Sequence, residues 1–353
     1  MAKSEKIRIA APDLESLVRS MFERLGLRGE EAETVARVLV WANLRGVDSH
    51  GVSRIPRYVE LFESSEAKPR PDIKVSRPRP ATVLIDADGA PGPVAMSRAM
   101  QEAVVAAKMS GVAWAAVRGT VHTGAIGYYT SLAADAGMIG IGMVAGMPNM
   151  GYTGAKGAAV ATSPLSIAVP SKSHGHVLLD MATATIALGR IAQYRNAGKP
   201  LPEGAALTEA GEPTTDPKLA AIPTPMAGAK GAAMSLVFEL ITSVLAGNPI
   251  VTRFHSGTPE GRKHRQNGAL IAVDVEAFSP LADFKGLVDD TLTTLKGLPK
   301  AAATDAILFP GERGQRVFRE RSSGGIPLPG AVWQKIVKDA EKLGVTVPDV
   351  TAA

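Results

Sequence analysis

The segment TVLIDADGAPGPVAMSRAMQEAVVAAKMSGVAWAAV, residues 82–117, determines the fold class of this chain. Its two ends, residues 82–86 and 112–117, are short apolar runs that predict strands, and residues 93–109 between them predict a helix. Four further apolar runs predict strands at residues 138–144, 165–169, 177–180 and 269–273. Because strands and helices do not alternate steadily, we expect an α/β domain with a mixed sheet.

Both ends of the chain are helical by pattern. Apolar residues recur at helical spacing in residues 12–25, 30–44, 53–62 and 331–343. The proline-rich residues 68–80 predict an extended linker and a first domain boundary. We therefore expect residues 1–75 and 300–353 to form a helical domain for substrate binding and dimerisation, and residues 76–299 to form the α/β domain.

Composition narrows the class of protein. Of the 353 residues, 45% are hydrophobic and 21% charged, which is ordinary for a soluble globular protein. The absence of cysteine excludes disulfides, a cysteine nucleophile and cysteine-ligated metal sites. The net charge of +5 is spread along the chain and aromatic residues are only 5%, which favours anionic small molecules over nucleic acid as ligands. No signal peptide or membrane-spanning run is visible, so we expect a cytoplasmic protein.

The polar segment RGVDSHGVSRIPR, residues 45–57, is the first candidate for chemistry. The histidine in it, His50, can exchange a proton near neutral pH, and Arg54 can hold a carboxylate through two hydrogen bonds. A proton donor beside a carboxylate clamp is what an enzyme reducing a small 2-oxo acid would need. The equal alternative is a polar turn in which Asp48 and Ser49 cap the next helix.

The second candidate is His122. It follows the predicted strand at residues 112–117, at the end where α/β proteins place ligand sites, and neighbouring glycines allow close approach by a ligand. A buried histidine bonded to a backbone carbonyl is an equal alternative. The dinucleotide fingerprint Gly-x-Gly-x-x-Gly is absent, because the nearest run, residues 140–146, has one residue too many and lies within an apolar strand.

Three smaller segments are candidate contacts for an anion or a ribose. Thr162 and Ser163 lie in a small-residue turn that could hold a phosphate or be an ordinary turn. Asp180 ends a predicted strand and could accept a ribose hydroxyl or cap the next helix. Lys230 begins a long apolar helix, residues 228–246, which we expect to be buried. Because a lysine opposes the dipole at a helix start, an anion could explain its position.

The other histidines do not indicate a metal site. His174 and His176 form a His-x-His pair, but no third ligand is evident, so no metal is predicted. His255 and His264 lie in a polar segment, residues 254–267, which predicts a surface loop.

Taken together, six motifs resemble those of the malate/L-lactate dehydrogenase family, which is separate from the Rossmann-type enzymes. They follow the family's order over nearly the whole chain. The motifs are Asp48-Ser-His-Gly51 with Arg54, His122-Thr-Gly with Gly-Tyr-Tyr129, Thr162-Ser-Pro164, Asp180-Met-Ala-Thr183, Gly228-Ala-Lys-Gly231 and Pro310-Gly-Glu312. The resemblance implies an oxidoreductase that uses NAD or NADP, a non-Rossmann cofactor domain at residues 76–299, and a homodimer.

The resemblance also implies roles for individual residues. His122 would donate or accept the proton, while His50 and Arg54 would line the substrate pocket. The implied cofactor contacts are Gly146, Thr162, Ser163, Asp180, Met181, Ala182, Lys230, Gly311, Glu312 and Arg313.

We therefore expect hydride transfer between a nicotinamide and C2 of a small 2-hydroxy or 2-oxo acid of the malate, lactate, ureidoglycolate or sulfolactate type. Arg54 would hold the carboxylate and His122 would act as general acid or base. Two alternatives remain open: a reductase of a cyclic 2-imino acid such as Δ1-piperideine-2-carboxylate, and a non-catalytic ligand-binding protein on the same fold. Departures from the family pattern at Val121, Gly146 and residues 161–163 leave the cofactor preference and the substrate open.

Overall fold

The computed structural model describes residues 6–352, which form thirteen strands and eleven α-helices. The strands are β1 (Lys6–Ile9), β2 (Lys74–Arg79), β3 (Thr82–Asp86), β4 (Val112–Thr120), β5 (Met138–Gly146), β6 (Leu165–Pro170), β7 (His176–Met181), β8 (Ala206–Leu207), β9 (Pro213–Thr214), β10 (Ile222–Pro223), β11 (Gln266–Asp274), β12 (Ile326–Pro329) and β13 (Thr351–Ala352). The α-helices are α1 (Ala11–Arg24), α2 (Gly29–Leu44), α3 (Ile55–Glu63), α4 (Gly92–Ser110), α5 (Gly127–Asp135), α6 (Leu188–Ala197), α7 (Ala229–Glu239), α8 (Val251–His255), α9 (Leu281–Lys296), α10 (Glu312–Gly324) and α11 (Gly330–Lys342).

The centre of the molecule is a seven-stranded sheet in the order β2-β3-β4-β11-β5-β6-β7. Strands β3 and β4 run parallel, and the other neighbouring pairs are antiparallel. Helix α4 connects the two parallel strands, which makes the opening segment a β-α-β unit. The predicted α/β class with a mixed sheet is therefore confirmed.

Helices cover both faces of this sheet. On one face, α4 and α5 pack against the sheet through small residues such as Ala99, Ala103 and Ala133. The approach of α5 is close, since a Cβ added at Gly140 in β5 would lie 2.3 Å from the carbonyl oxygen of Thr130. On the other face, Phe238 of α7 packs against β5 and β11. Small side chains thus set how closely the helices approach the strands that carry the site.

The two ends of the chain meet in a second core. Strand β1 pairs antiparallel with β12 and with β13. Buried residues of α1, α2, α3 and α11 then form one cluster that includes Phe22, Leu39, Ile55 and Ile336. The N- and C-terminal segments thus share one core. Their division from the rest of the chain as a domain for substrate binding and dimerisation stays a prediction.

The predicted linker at residues 68–80 is in part a strand. Residues 74–79 form β2, the edge strand that pairs with β3, so the predicted boundary after residue 75 falls inside a strand. The pairing shifts register between Ser76 and Arg79, where Pro78 lies. Because proline has no N–H to donate, it is tolerated on an edge strand or at such an irregularity. The proline content therefore indicated a sheet edge rather than a free linker.

The apolar segment at residues 228–246 is only half buried. It forms α7 and a following π-helical turn, Leu240–Val244. The face opposite the sheet is exposed and includes Val237, Leu240, Val244 and Leu245. The prediction that this helix is buried was wrong, because the sheet covers one side of it. No helix within residues 6–352 has the length and apolar character that crossing a membrane requires.

Candidate active site

A cavity of about 440 Å³ is lined both by the turns after α2 and by the loops and strand ends of the large sheet. Its polar lining comes from five places: the 3-10 turns before α3, the loop after β4, the loop between β5 and β6, the end of β7 and the start of β11. The side chains able to take part in chemistry include His50, Arg54, His122, Asp180, His264 and Gln266. The three residues expected to be catalytic, His50, Arg54 and His122, thus share one cavity.

The buried side chain of Asn43 at the end of α2 holds the turns that carry His50 and Arg54. Its Oδ1 accepts a hydrogen bond from the amide of Val52 at 2.8 Å, and its Nδ2 donates to Asp48 at 2.7 Å. A Cβ added at Gly51 would lie 2.1 Å from Asn43 Oδ1. The glycine in the Asp-Ser-His-Gly motif is therefore needed so that Asn43 can bind the backbone beneath it.

Asp48 ties the same turns to the C-terminal part of the chain. Its carboxylate accepts hydrogen bonds from both terminal nitrogens of Arg321 in α10, at 2.6 and 3.1 Å. The alternative in which Asp48 or Ser49 caps the next helix is wrong, since no side chain caps α3. Asp48 is a structural residue of the motif and does not line the cavity.

Arg54 is a half-buried guanidinium that forms no ion pair with any residue of the described chain, residues 6–352. Its Nε donates to the carbonyl oxygen of Ser49 at 2.6 Å, which leaves its terminal N–H groups for a ligand. Loss of water around the guanidinium lowers the pKa of Arg54. A positive charge without a carboxylate partner favours an anion in the cavity, and the planar fork suits a carboxylate.

His122 is oriented by Tyr58, a buried residue of α3. The Tyr58 hydroxyl donates to the carbonyl oxygen of His122 at 2.9 Å and lies 3.1 Å from Nδ1 of the same residue. With the hydroxyl proton placed on the carbonyl oxygen, the phenolic oxygen is left to accept a hydrogen bond from Nδ1–H. This arrangement sets the tautomer in which Nε2 carries no proton. His122 can therefore accept a proton through Nε2.

Three histidine rings lie next to one another in the cavity. The rings of His50 and His122 are stacked with their centroids 5.9 Å apart, and the rings of His122 and His264 are 6.5 Å apart. Loss of water, followed by the positive charge of Arg54, lowers the pKa of His50 to about 4 and that of His122 well below its usual value. Both rings are thus neutral at neutral pH, which makes His122 a base in the resting protein.

The position of His264 differs from the one predicted from the sequence. We expected it on a surface loop, but it lies in the cavity wall. Loss of water, followed by the charge of Arg57, lowers the pKa of His264 to about 4. The polar residues around it suggested exposure, and no local pattern reveals that this loop folds back onto His122. Tyr58 was missed because its position in α3 is typical of an ordinary core residue.

The opposite wall of the cavity contains part of the predicted cofactor site. Asp180, Met181, Ala182 and Thr162 line it. The side chain of Asp180 is exposed at the cavity, and partial loss of water around its carboxylate raises its pKa to about 6. Its Oδ2 accepts a hydrogen bond from the Gly127 amide at 3.0 Å, and a Cβ at Gly127 would lie 2.7 Å from that oxygen. Asp180 does not cap α6, which has no side-chain cap.

The other predicted cofactor residues lie outside this cavity. Ser163 is buried and its hydroxyl accepts a hydrogen bond from Ser235 at 3.1 Å. Gly146 is buried against Gln266 at the end of β5. Lys230 is exposed in the first turn of α7.

The turn at residues 311–313 also lies outside it. The carbonyl oxygen of Gly311 accepts from Arg45 at 3.1 Å, Glu312 pairs with Lys296, and Arg313 is exposed. Glu312 instead lines a neighbouring cavity that also contains His174. The structure therefore groups the predicted cofactor residues into one set in the cavity and another set away from it.

Within residues 6–352, no group of three or more His, Asp or Glu side chains is arranged to hold a metal ion. His176 pairs with Asp135, its Nε2 lying 2.7 Å from the carboxylate. His174 packs edge-on against Phe309.

Comparison with known proteins identifies the family to which this chain belongs. A model of the family described as malate/L-lactate dehydrogenase matches residues 9–337. The malate dehydrogenase of Pyrococcus abyssi is 32% identical over 349 residues, 96% of each chain. The L-sulfolactate dehydrogenase of Methanocaldococcus jannaschii is 34% identical over 336 residues, 94% of this chain and 96% of that protein. The crystal structure of malate dehydrogenase from Entamoeba histolytica superposes with a TM-score of 0.92 at 26% identity, covering 98% of this chain and 100% of that one.

These relatives are named as dehydrogenases, which removes the alternative of a non-catalytic binding protein. The family model spans both the N-terminal turns with His50 and Arg54 and the sheet with His122 and Asp180. The chain belongs to the malate/L-lactate dehydrogenase family and is a dehydrogenase of 2-hydroxy acids.

Proposed function

We propose that this protein interconverts a small 2-hydroxy acid and the corresponding 2-oxo acid with NAD or NADP, as the malate and sulfolactate dehydrogenases named above suggest. One observation carries the proposal. Arg54, which has no acidic partner in the described chain, and His122, whose tautomer is set by Tyr58, face the same cavity. An anion clamp next to an oriented base is the arrangement that oxidation of a 2-hydroxy acid requires.

In the proposed reaction, Arg54 holds the carboxylate of the substrate through its terminal N–H groups. Nε2 of His122 then accepts the proton of the 2-hydroxyl, and Tyr58 stabilises the charged ring through its contact with Nδ1. In the reverse direction His122 returns the proton to the 2-oxo oxygen. A bound nicotinamide would supply the group that takes the hydride from C2 of the hydroxy acid, or returns it to C2 of the oxo acid.

The wall formed by Asp180, Met181, Ala182 and Thr162 fits such a cofactor. The Asp180 carboxylate is free to accept from a ribose hydroxyl, because in the structure one amide hydrogen bond, from Gly127, reaches it. We propose that these four residues hold the nicotinamide half of the dinucleotide. Ser163, Gly146, Lys230 and residues 311–313 remain proposed contacts of its other parts.

The function is tested by assaying malate, lactate, sulfolactate and ureidoglycolate with NAD⁺ and with NADP⁺, following the absorbance of the reduced nicotinamide. We expect turnover of at least one acid, and we expect His122→Ala to lower kcat by about 10²–10⁴. Binding of reduced cofactor, measured by its fluorescence, should be unchanged in the variant. His255→Ala is the matched control, because His255 is exposed and lies outside the cavity.

Two results would contradict this assignment. Wild-type turnover by His122→Ala would show that His122 is not the base. Reduction of Δ1-piperideine-2-carboxylate, with no turnover of any hydroxy acid or 2-oxo acid, would replace the substrate class by a cyclic imino acid.

We further propose a homodimer in the cytoplasm. Support for a second copy comes from the exposed apolar face of α7 and its π-helical turn, where Val237, Leu240 and Val244 are each close to half exposed. A contiguous apolar surface of this kind is typical of a face covered by a partner.

A further inference from the structure

A second cavity, of about 480 Å³, lies beside the active-site cavity and is not used by the function proposed above. Its walls come from the turns after α3 and β3, the end of β4 and the segment between α7 and β11. None of the described residues that line it has an apolar side chain, so we call it the polar cavity. Its volume lies within the range of about 300–1,000 Å³ that is common for small-molecule sites.

The loop that leads into β11 separates the two cavities. His264 and Gln266 line the active-site cavity, whereas Arg265 between them lines the polar cavity. The Oε1 of Gln266 accepts a hydrogen bond from the amide of Thr123 at 2.7 Å, which ties this loop to the segment that carries His122. The two cavities thus share a wall and present different side chains.

Two carboxylates of the polar cavity are paired with cations of the same lining. The Oδ2 of Asp86 accepts hydrogen bonds from two nitrogens of Arg118, at 3.0 and 2.8 Å. The Oδ1 of Asp88 accepts from Lys68 at 2.5 Å. These four side chains therefore balance one another in charge.

The other two carboxylates of the lining bind groups outside it. Glu66 accepts a hydrogen bond from the amide of His264. Glu260 forms an ion pair with Lys263 at 2.8 Å. All four carboxylates are thus engaged before the last two cations of the lining are considered.

Those two cations, Arg253 and Arg265, form no ion pair within the described part of the chain. Arg253 donates to the side-chain oxygen of Asn248. Arg265 uses one terminal nitrogen to donate to the carbonyl oxygens of Glu66 and His264, at 3.0 and 2.8 Å. Since a guanidinium has five N–H donors, both arginines keep donors for a ligand.

The two arginines lie near the same carboxylate. The hydrogen bond from Lys263 lowers the pKa of Glu260, and the positive charges of Arg265 and Arg253 lower it further. An anion beside them would add the negative charge that Glu260 shares with Lys263. A phosphate monoester has a charge of about −1.5 to −2 at neutral pH and three acceptor oxygens, which suits two guanidinium groups.

The rest of the lining indicates what the phosphate is attached to. Without an apolar or aromatic wall, the cavity offers no surface against which a nucleobase or a hydrocarbon chain would pack. Carboxylate oxygens have spare lone pairs for hydroxyl donors, and Oδ1 of Asp86 accepts one hydrogen bond, from the Asp88 amide at 3.3 Å. The lining therefore favours a group that is rich in hydroxyls.

We propose that the polar cavity binds a small phosphorylated polyol, such as a sugar phosphate, as a ligand distinct from the substrate and the cofactor. Arg253 and Arg265 hold its phosphate, and Asp86 and Asp88 accept hydrogen bonds from its hydroxyls. Because Arg265 belongs to the loop that separates the cavities, this ligand contacts a wall of the active site from outside.

The test is a calorimetric titration of the full chain with ribose 5-phosphate at low salt, with excess NADH present so that the cofactor site is filled. We expect a Kd of about 1 mM or lower, and no measurable binding of ribose. Arg253→Gln should weaken binding by about 10- to 100-fold, because it removes charged hydrogen bonds to the phosphate. Arg265 is left intact, since it also holds the loop.

Two control variants locate the ligand. Arg262→Gln changes an exposed arginine of the same segment that does not line the polar cavity, and its affinity should equal that of the wild type. Arg54→Ala removes the free cation of the active-site cavity and should also bind ribose 5-phosphate normally.

Several results would overturn the inference. They are no binding by the wild type, equal affinity in Arg253→Gln, or lost binding in Arg54→Ala, which would assign the phosphate to the active-site cavity. If Arg253→Gln weakens the binding of NADPH and not of NADH, the cavity holds the 2′-phosphate of the cofactor and the separate ligand is wrong. The titration involves no turnover, so a failure of the proposed function would leave its result unchanged.

Discussion

Replacement of Tyr58 by phenylalanine tests how His122 is prepared for proton transfer. The substitution removes one hydroxyl and keeps the ring that packs edge-on against Phe22 at a centroid distance of 5.8 Å. In the wild-type protein this hydroxyl donates to the carbonyl of His122 and lies 3.1 Å from Nδ1, from which we infer that it accepts a hydrogen bond. Tyr58→Phe should therefore leave the core packed, but the proton of the His122 ring would no longer be held on Nδ1.

The size of the effect follows from the charge on the ring. A hydrogen bond between neutral groups contributes about 0.5–1.5 kcal/mol, and one to a charged group about 1.5–3 kcal/mol. Since His122 becomes charged as it accepts the proton, the contact with Tyr58 strengthens by about 1–1.5 kcal/mol during the reaction. Its loss should lower kcat by about 5- to 13-fold. The unpaired carbonyl of His122 should also lower the free energy of unfolding by about 1–3 kcal/mol.

Three measurements check this expectation. Steady-state kcat is measured at saturating 2-hydroxy acid, stability by urea unfolding, and the tautomer by nitrogen NMR of labelled histidine. Tyr129→Phe is the matched control, because its buried hydroxyl donates to the carbonyl of Thr123 and does not touch a histidine ring. The control should lose stability and keep the tautomer of His122.

The role assigned to Tyr58 is wrong if Tyr58→Phe keeps the wild-type kcat although NMR shows that the Nδ1–H tautomer has been lost. It also fails if kcat falls by more than about 10³, because Tyr58 would then take part in proton transfer itself. An equal loss of kcat in Tyr129→Phe would mean that general loosening of the site, and not the tautomer, governs the rate.

Two further predictions follow from the same cavity. Arg54→Lys should raise KM by about 10-fold or more with a smaller change in kcat, since lysine cannot form the two-pronged contact with a carboxylate; an unchanged KM would contradict the clamp. Loss of water and the charge of Arg54 lower the pKa of His122, so the ring stays unprotonated and able to act as a base until the pH falls below the usual histidine pKa near 6.5. For oxidation of the hydroxy acid, kcat/KM should therefore stay constant between pH 8 and about 6.5 and should decline only at lower pH. A decline centred at or above the usual histidine pKa would show that His122 is not the group that titrates.

The strands and helices could largely be predicted from local pattern. The β-α-β segment at residues 82–117 is present with small shifts in its ends, as β3, α4 and β4. Local sequence pattern gave wrong predictions where the answer depended on which other elements pack against a segment. The apolar segment at residues 228–246 indicated burial on all sides, and the proline-rich residues 68–80 indicated a linker. Which face a sheet covers, and which strand forms its edge, depend on pairings far along the chain.

The candidate site divides in the same way. His50, Arg54 and His122 could be proposed from residue type and neighbouring glycines, because proton transfer and carboxylate binding need those side chains. Tyr58 and His264 could not, since each looks ordinary in its own segment. Tyr58 meets His122 across 64 positions of the chain, and His264 reaches the cavity through a loop held by Glu66, 198 positions away.

The local sequence thus determines which chemical groups this protein can use: a guanidinium, imidazole rings and an aspartate, with nearby glycines that allow a ligand to approach closely. The tertiary structure decides how those groups act. It leaves Arg54 without an acidic partner in the described chain, removes water from the histidines so that they are neutral, and sets the proton of His122 through Tyr58. The physical reason is that charge, solvation and tautomer depend on surrounding atoms, which folding brings together from distant parts of the chain.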